Sequence, residues 1–290
     1  MKTFFYIIQF FICISAFAKI NSNVLYLPSG GTSSFSLSYD LGQGKFTSTG
    51  TPPFNVQYSA NLINFDYMWG INNEMSMGAT INTGENKGEY TSGTTKFVSK
   101  ATGLSDLKLK FRMNQENFIY GADLGLPLGV HTIDNNDVSN RSSGGISIIP
   151  MIGMVFNNGS FNFGGHITYN YLLDRKGESE SGTTTSTRTT SGGNSLILTP
   201  FTEWNFGSGF ISLQYSIMSA SDSTVKASDG TNATNKSDNI NEFKISGNYD
   251  FNESITGLAG YTLSMLPANS DASRPATTLT TINLGIRFVF

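Results

Sequence analysis

The stretch Thr281-Ile282-Asn283-Leu284-Gly285-Ile286-Arg287-Phe288-Val289-Phe290 decides the fold class of this 290-residue chain. From Ile282 to Phe290 every second residue is apolar, and most of the residues between them are polar or glycine. This is the pattern of a β-strand, because successive side chains of a strand point to opposite faces. The stretch therefore predicts a strand with one apolar face and one polar face.

The same alternation recurs along the chain. Between 106 and 113 a row of four apolar residues alternates with a row that contains Asp106, Lys108, Lys110 and Arg112. A helix would scatter these charges around its axis, whereas a strand places them on one face. Each such segment is near the length that a tilted strand needs to cross a bilayer. Twelve strands are predicted, at 32–41, 54–68, 73–83, 103–114, 117–128, 145–156, 160–173, 194–206, 209–220, 239–251, 253–266 and 277–290.

The connections between these strands alternate between short turns and long loops. The loops are rich in Ser, Thr, Asn and Gly and are expected to be mobile, and aromatic residues cluster at the short turns. Segregation of short turns from long loops is typical of bacterial outer-membrane barrels, and an even strand number puts both termini at the short-turn side. The predicted fold is all-β, a closed antiparallel up-and-down transmembrane β-barrel of about 12 strands. The long loops are 42–53, 84–102, 129–144, 174–193, 221–238 and 267–276.

The N-terminus has the features of a secretory signal peptide. Lys2 precedes an apolar stretch, and Ala16-Phe17-Ala18 is a small-x-small cleavage site, so cleavage is predicted after Ala18. A membrane anchor is the alternative, but the apolar stretch is short for a span. The predicted organisation is a signal peptide at 1–18, an N-terminal periplasmic segment at 19–31 and the barrel at 32–290. The single cysteine, Cys13, lies in the signal peptide.

Composition narrows the function classes. Charged residues make up 13% of the chain and the net charge is −3, so no basic surface indicates a nucleic-acid partner. No apolar run after Ala18 reaches the length of a spanning helix, which leaves a closed barrel as the form in which the mature chain could cross a membrane.

Three irregularities interrupt the strand pattern. Pro150 and Pro200 fall inside predicted strands, and the segment 54–68 changes phase at 62–63. Proline cannot donate to a strand ladder, so we expect a local bulge at each proline, and at the phase change we expect either a bulge or an incorrectly placed strand boundary. In addition, the tripeptide Ser-Gly-Gly occurs at 143–145 and again at 191–193. A predicted strand and hairpin follow each copy.

Charged residues in phase with the polar faces are the candidate functional residues. They predict either an electrostatically lined solute path or a set of mutual ion pairs that fills a narrow barrel. Their mixed signs favour pairing over strong ion selectivity. The candidates for the lumen path are Asp106, Lys108, Lys110, Arg112, Asp123, His166, Glu203, Glu242, Lys244 and Arg287.

Signals of catalysis or of a cofactor are weak. His131 and His166 are the only histidines, and without cysteine partners they form no pattern of metal ligands. His166-Ile167-Thr168 could be compared with an outer-membrane lipase, but that enzyme class needs a serine at the position of Thr168. The sequence therefore predicts no catalytic residues, no metal and no cofactor.

Two segments resemble a known family. The segment from Thr102 to Phe111 and the motif Gly125-Leu126-Pro127-Leu128-Gly129 are similar to those of the outer-membrane barrels grouped as phenol meta-degradation pathway transporters, and Pro150 and Pro200 stand where that family often has prolines. The resemblance implies an outer-membrane barrel and the passage of small, often hydrophobic compounds.

Together these features predict a channel or transporter for a small solute in the outer membrane of a Gram-negative bacterium. The alternatives are a barrel enzyme and a non-conducting structural or surface-binding barrel; a plugged lumen would favour the latter. The expected partners are outer-membrane lipid, the barrel-insertion machinery and the solute. Phe288 and Phe290 are the predicted assembly signal, on a strand that should close the barrel against the strand at 32–41.

Overall fold

The computed structural model describes residues 22–48, 53–134, 136, 138–181, 184–268 and 274–290. The predicted signal peptide and its cleavage site after Ala18 lie outside these residues. No helix in the described part of the chain is long and apolar enough to cross a membrane.

Nineteen strands form within the described residues. They are β1 (Ser33–Thr47), β2 (Asn55–Gly70), β3 (Met75–Ser92), β4 (Thr95–Ser105), β5 (Leu107–Gln115), β6 (Phe118–Leu126), β7 (His131–Ile133), β8 (Val138–Arg141), β9 (Ser147–Asn158), β10 (Phe161–Leu172), β11 (Arg175–Ser181), β12 (Thr184–Gly192), β13 (Ser195–Asn205), β14 (Gly209–Ala220), β15 (Ser223–Ala227), β16 (Asn232–Asn235), β17 (Ile240–Asn252), β18 (Ile255–Leu266) and β19 (Thr277–Val289).

Twelve of these strands close into one antiparallel barrel, as the sequence predicts. Around the ring the order is β1, β2, β3, β5, β6, β9, β10, β13, β14, β17, β18 and β19. β19 then pairs with β1, with Phe288 opposite Phe35, so the predicted closing pair is confirmed. Closure leaves no strand edge of the ring unpaired.

The other seven strands lie in the long connections, where the sequence pattern predicted loops and no strands. β3 continues to Ser92 and pairs with β4, and β11 pairs with β12, so ring hairpins extend on the loop side as polar sheet. Threonine favours strands, and each hairpin continues a ladder that already exists. The sequence gives no alternating signal there because no apolar face is required outside the membrane.

The bulges predicted at the irregular positions are also absent. The register of β2 against β1 and β3 runs without a shift, so the phase change at 62–63 is a change of residue type on a regular strand. Pro150 and Pro200 keep the regular register as well, opposite Ala122 and Gly165. Each proline lacks the N–H that a strand ladder needs, and the ladder is interrupted on one side of it. The interruption lies toward β10 at Pro150 and toward β14 at Pro200.

The outer surface of the barrel is apolar. Leu109, Phe111 and Met113 on β5 are exposed, while Lys110 and Arg112 between them are partly buried. Exposed rings also lie near the short turns, where pairs such as Trp204 and Phe206 have centroids 5.8 Å apart. Amphipathic aromatic side chains prefer the headgroup level of a membrane. Phe210, which lies across the same short turn from Phe206, is instead buried.

The segment at 22–28 enters the barrel from the short-turn side. Leu25 packs in a buried cluster with Ile119, Val155 and Phe201, which lie on three ring strands. The chain then leaves the lumen, and the N–H of Gly31 donates a 2.7 Å hydrogen bond to the carbonyl of Gly70 before β1 begins. The sequence predicts a periplasmic segment at 19–31 and carries no signal that any of it lies inside the lumen.

Candidate functional site

A cavity of about 530 Å³ lies inside the barrel toward the short turns. Its walls combine the inner faces of ring strands with Asn23, Val24, Leu25, Tyr26 and Leu27 of the N-terminal segment. Five of the ten residues predicted for the lumen path contribute to these walls: Lys110, Arg112, His166, Lys244 and Arg287.

Two of the lining cations are paired. The Nζ of Lys110 lies 2.9 Å from Oδ2 of Asp66, and Oγ1 of Thr80 donates a 3.1 Å hydrogen bond to the other carboxylate oxygen. Arg112 forms an ion pair with Asp123 on the neighbouring strand β6. Ion pairing inside the barrel, one of the two interpretations of the charged rows, therefore accounts for part of them.

The cavity nevertheless has more cations than carboxylates in its walls. Four cationic side chains line it, and Asp66 is the single lining carboxylate among the described residues. Lys244 and Arg287 form no ion pair within the part of the chain that the structure covers. Because its lining cations outnumber its lining carboxylates, the cavity should attract anions.

Arg287 also fixes the N-terminal segment. Its guanidinium carbon lies 3.9 Å from the centroid of the Tyr26 ring, a cation–π contact that is strengthened by exclusion of water. Arg287 is buried, and its Nε has no hydrogen-bond partner among the described residues.

Glu203 holds the same segment by its backbone. The residue is fully buried, and its Oε1 accepts hydrogen bonds from the N–H groups of Asn23 and Val24 and from Oγ of Ser212. Its Oε2 accepts a 3.0 Å bond from Nδ2 of Asn162. Buried carboxylates require such partners, and here the N-terminal segment supplies two of them.

The remaining predicted residues lie apart from this cavity. Glu242 accepts a 2.7 Å hydrogen bond from Oγ of Ser264. Asp106 stands between β4 and β5, where its carboxylate accepts a 2.9 Å bond from the N–H of Ser143. Lys108 is exposed and forms no ion pair with any described residue.

His166 and Thr168 both line the cavity, as their strand phase predicts. The Nδ1 of His166 is buried and has no hydrogen-bond partner among the described residues. No serine occupies the position of Thr168, so the pair lacks the nucleophile that a lipase-like site needs.

A second cavity, of about 370 Å³, lies on the loop side of the first. Tyr58, Tyr90 and Leu279 line it, and on β2 Tyr58 has the same phase as Asp66 of the first cavity. The ring centroids of Phe46 and Tyr58 are 6.1 Å apart, and those of Phe54 and Tyr90 are 6.3 Å apart. The sequence signal for this site was the phase change at 62–63, which places apolar residues on the inner face.

The fold can be compared with known proteins. No protein-family model matches the sequence, and no curated protein matches it. Among solved structures, an outer membrane channel from Pseudomonas putida superposes with a TM-score of 0.62 at 13% identity, over 91% of this chain and 97% of that chain. The two proteins share one fold.

Two further solved structures align less well. A mutant of TodX described as a monoaromatic hydrocarbon channel gives a TM-score of 0.49 at 11% identity, over 90% of each chain. The toluene transporter TodX from Pseudomonas putida gives 0.47 at 10% identity, over 95% of this chain and 94% of that chain. Membership of the phenol meta-degradation pathway family stays a prediction.

Proposed function

We propose that the protein is an outer-membrane channel of a Gram-negative bacterium that passes a small solute with an apolar body and an anionic group. The observation that carries this proposal is the contrast between the two cavities on the inner face. The loop-side cavity is lined by Tyr58, Tyr90 and Leu279, and its two lysines are both paired with glutamates. In the turn-side cavity, Lys244 and Arg287 form no ion pair with any described residue. A solute entering from the loop side would meet an apolar site first and a cationic site second.

The chemistry of each cavity suits one part of such a solute. Aromatic rings bind apolar and aromatic groups by burial and by edge or offset stacking. Lysine and arginine bind carboxylates, and Lys244 and Arg287 are not neutralised by an ion pair within the described residues. Of the ten residues predicted for the lumen path, the proposed path retains the five that line the turn-side cavity: Lys110, Arg112, His166, Lys244 and Arg287. Tyr58 and Tyr90 of the loop-side cavity are added to it.

The segment at 22–28 favours the second candidate, a non-conducting structural barrel. It occupies part of the lumen and is fixed by Glu203 and Arg287. Passage of a solute would require the segment to move or would have to use the space beside it. The proposed lipid, insertion-machinery and solute partners all depend on placement in the outer membrane.

Conductance in planar bilayers tests the proposal. The wild-type barrel should conduct in KCl, and benzoate should reduce the current more than acetate does, because acetate lacks the apolar body. Tyr58→Ala should weaken the benzoate effect by about 2- to 10-fold, the loss expected from an aromatic contact. Tyr39→Ala is the matched control, since Tyr39 is a tyrosine exposed on the outer face of β1.

Absence of current from both the wild-type barrel and a variant that lacks residues 22–28 would support the structural alternative. If the wild-type barrel conducts and benzoate and acetate block the current equally, the apolar site is rejected. The channel function itself would stand.

A further inference from the structure

The repeated Ser-Gly-Gly turns of the sequence meet around one arginine. Nη2 of Arg175, at the start of β11, donates a 2.8 Å hydrogen bond to the carbonyl of Gly192 in the second turn. A Cβ added to Gly193 would lie 3.2 Å from the same Nη2, and one added to Gly145 of the first turn would lie 2.5 Å from Cγ of Arg175. Both turns therefore need glycine to admit this side chain.

The backbone of the first turn also fits closely. Gly144 has a φ of 73°, and its carbonyl accepts a 3.0 Å hydrogen bond from the N–H of Lys176. A side chain at Gly144 would collide with the carbonyl of Lys176, because an added Cβ would lie 2.0 Å from that oxygen. The two turns thus hold Arg175 and Lys176 in place on the loop side of the barrel.

Arg175 lines a cavity of about 400 Å³ together with Lys176, Arg188 and His131. The other described lining residues are glycine or carry neutral polar side chains, and they include no carboxylate. The Nδ1 of His131 is 3.0 Å from the carbonyl of Ser142, so its ring orientation is fixed. The cavity belongs to β7, β11, β12 and β15–β16, outside the twelve-stranded ring.

The cations of this cavity lack counter-ions in the part of the chain that the structure describes. Arg175, Lys176 and Arg188 form no ion pair with any described residue. Nε of Arg175 is buried without a hydrogen-bond partner in the described chain, which is uncommon for a buried polar atom. The nearby carboxylate of Asp222 is 2.9 Å from Nζ of Lys236 and does not line the cavity.

Burial lowers the pKa of the Arg175 guanidinium, and the charge of the adjacent Asp174 acts in the opposite direction. Arginine remains protonated at all physiological pH values, so a permanent charge stands in this partly buried position. A planar guanidinium offers five donors, of which the Gly192 carbonyl takes one.

We propose that this cavity binds a phosphate group, with Arg175 and Arg188 as its ligands. Guanidinium forks bind tetrahedral phosphate oxygens through paired hydrogen bonds, and the hydroxyl groups in the wall can complete the shell. The phosphate could belong to a soluble anion or to lipopolysaccharide. The site is distinct from the lumen path and does not depend on the barrel conducting.

Two binding measurements test the site and identify the source of the phosphate. The first titrates inorganic phosphate into the refolded barrel in detergent and follows binding by calorimetry. The second compares the thermal stability of the barrel in phospholipid vesicles with intact lipopolysaccharide and in vesicles with dephosphorylated lipopolysaccharide. Binding of inorganic phosphate indicates a soluble ligand, whereas stabilisation by intact lipopolysaccharide alone indicates the lipid; either result supports the site.

Arg175→Gln should weaken the positive response by about 10-fold or more, since a charge-assisted contact is lost. Arg188→Gln is the second variant, because Arg175 is packed between the two turns and its loss could prevent folding. Lys226→Gln is the matched control, an exposed lysine on β15 that does not line the cavity. No response of the wild type in either measurement overturns the proposal, and so does an equal loss in Arg188→Gln and Lys226→Gln.

Discussion

The carboxylate of Glu203 accepts a 2.8 Å hydrogen bond from the backbone N–H of Val24, 179 residues earlier in the chain. The same oxygen accepts a 2.9 Å bond from the N–H of Asn23, and Glu203 has no exposed surface. Removing a partner from a buried charge is costly, because the charge is left without compensation. This contact therefore ties the N-terminal segment to the wall of the barrel.

Glu203→Gln should release the segment at 22–28 and increase the single-channel conductance. The neutral amide offers one acceptor oxygen where the carboxylate offered two, so one of the four contacts to Glu203 is lost and the rest are weakened. Loss of hydrogen bonds to a charged group typically costs about 1.5–3 kcal/mol. Conductance histograms in planar bilayers measure the effect.

Glu242→Gln is the control for that experiment. Glu242 is also a predicted lumen carboxylate, but its hydrogen-bond partner is Ser264 and it does not contact the segment. The same conductance in both variants would contradict an anchoring role for Glu203.

Lys244→Gln should shift ion selectivity toward cations without lowering stability. Lys244 lines the turn-side cavity and forms no ion pair among the described residues, so its loss removes a positive charge and leaves no carboxylate unpaired. The zero-current potential in a KCl gradient measures the shift. Lys45→Gln, which removes an exposed lysine from β1, should leave that potential unchanged.

Neutralising Lys108 and Lys110 together should also favour cations, but with a cost in stability. Asp66 would lose its partner at 2.9 Å, and the midpoint of thermal unfolding should fall. An unchanged zero-current potential in this conducting double variant would contradict the lumen position of both lysines.

The hairpin of β3 and β4 should loosen in acid. Hydrogen bonds from Lys87 and Lys96 lower the pKa of Glu89 from its usual 4.5 to about 2. Because the folded pKa lies below the unfolded one, the stabilisation is fully present above about pH 4.5 and is lost as the pH falls toward 2. Amide hydrogen exchange of this hairpin, corrected for intrinsic rates, should therefore accelerate across that range.

Glu89→Gln should remove most of this pH dependence and leave the hairpin open to a similar degree at both ends of the range. Glu253→Gln, at an exposed turn on the opposite side of the barrel, should preserve it. Acceleration of equal size in the wild type and in Glu89→Gln would show that other groups open the hairpin.

The ring strands were predictable because lipid imposes an alternating pattern on them. The apolar residues of β5 and β19 meet the outer surface at every second position, and the register follows from that face. Beyond the membrane both faces of a strand meet water, so β3 was predicted to end at 83 although it continues to Ser92. The polar extensions left no signal of period two.

The candidate site was predictable only in part, for a related reason. Phase alone placed Lys110 and Arg112 on one inner row. The contact of Val24 with Glu203 could not be predicted, because it depends on a segment without secondary structure that meets the wall in three dimensions. The tyrosine-lined cavity did leave a signal, the phase change in β2, but a bulge or a misplaced strand boundary explained that signal equally well until the regular register was known.

Phe290→Ala should reduce the amount of folded barrel in the outer membrane several-fold. The backbone of Phe290 closes the barrel through hydrogen bonds with Ser33 of 2.7 and 2.9 Å, and alanine retains both, so the variant removes the ring alone. Phe290 is 70% exposed, which leaves its ring accessible to membrane or to insertion machinery. The heat-modifiable band in outer-membrane fractions measures the folded product.

Phe251→Ala is the matched control, since Phe251 is an aromatic residue of 65% exposure at a neighbouring short turn. If the two variants lose the same amount of folded barrel, the effect belongs to the aromatic residues near the short turns in general. A loss confined to Phe290→Ala identifies the ring that directly follows β19 as the assembly signal.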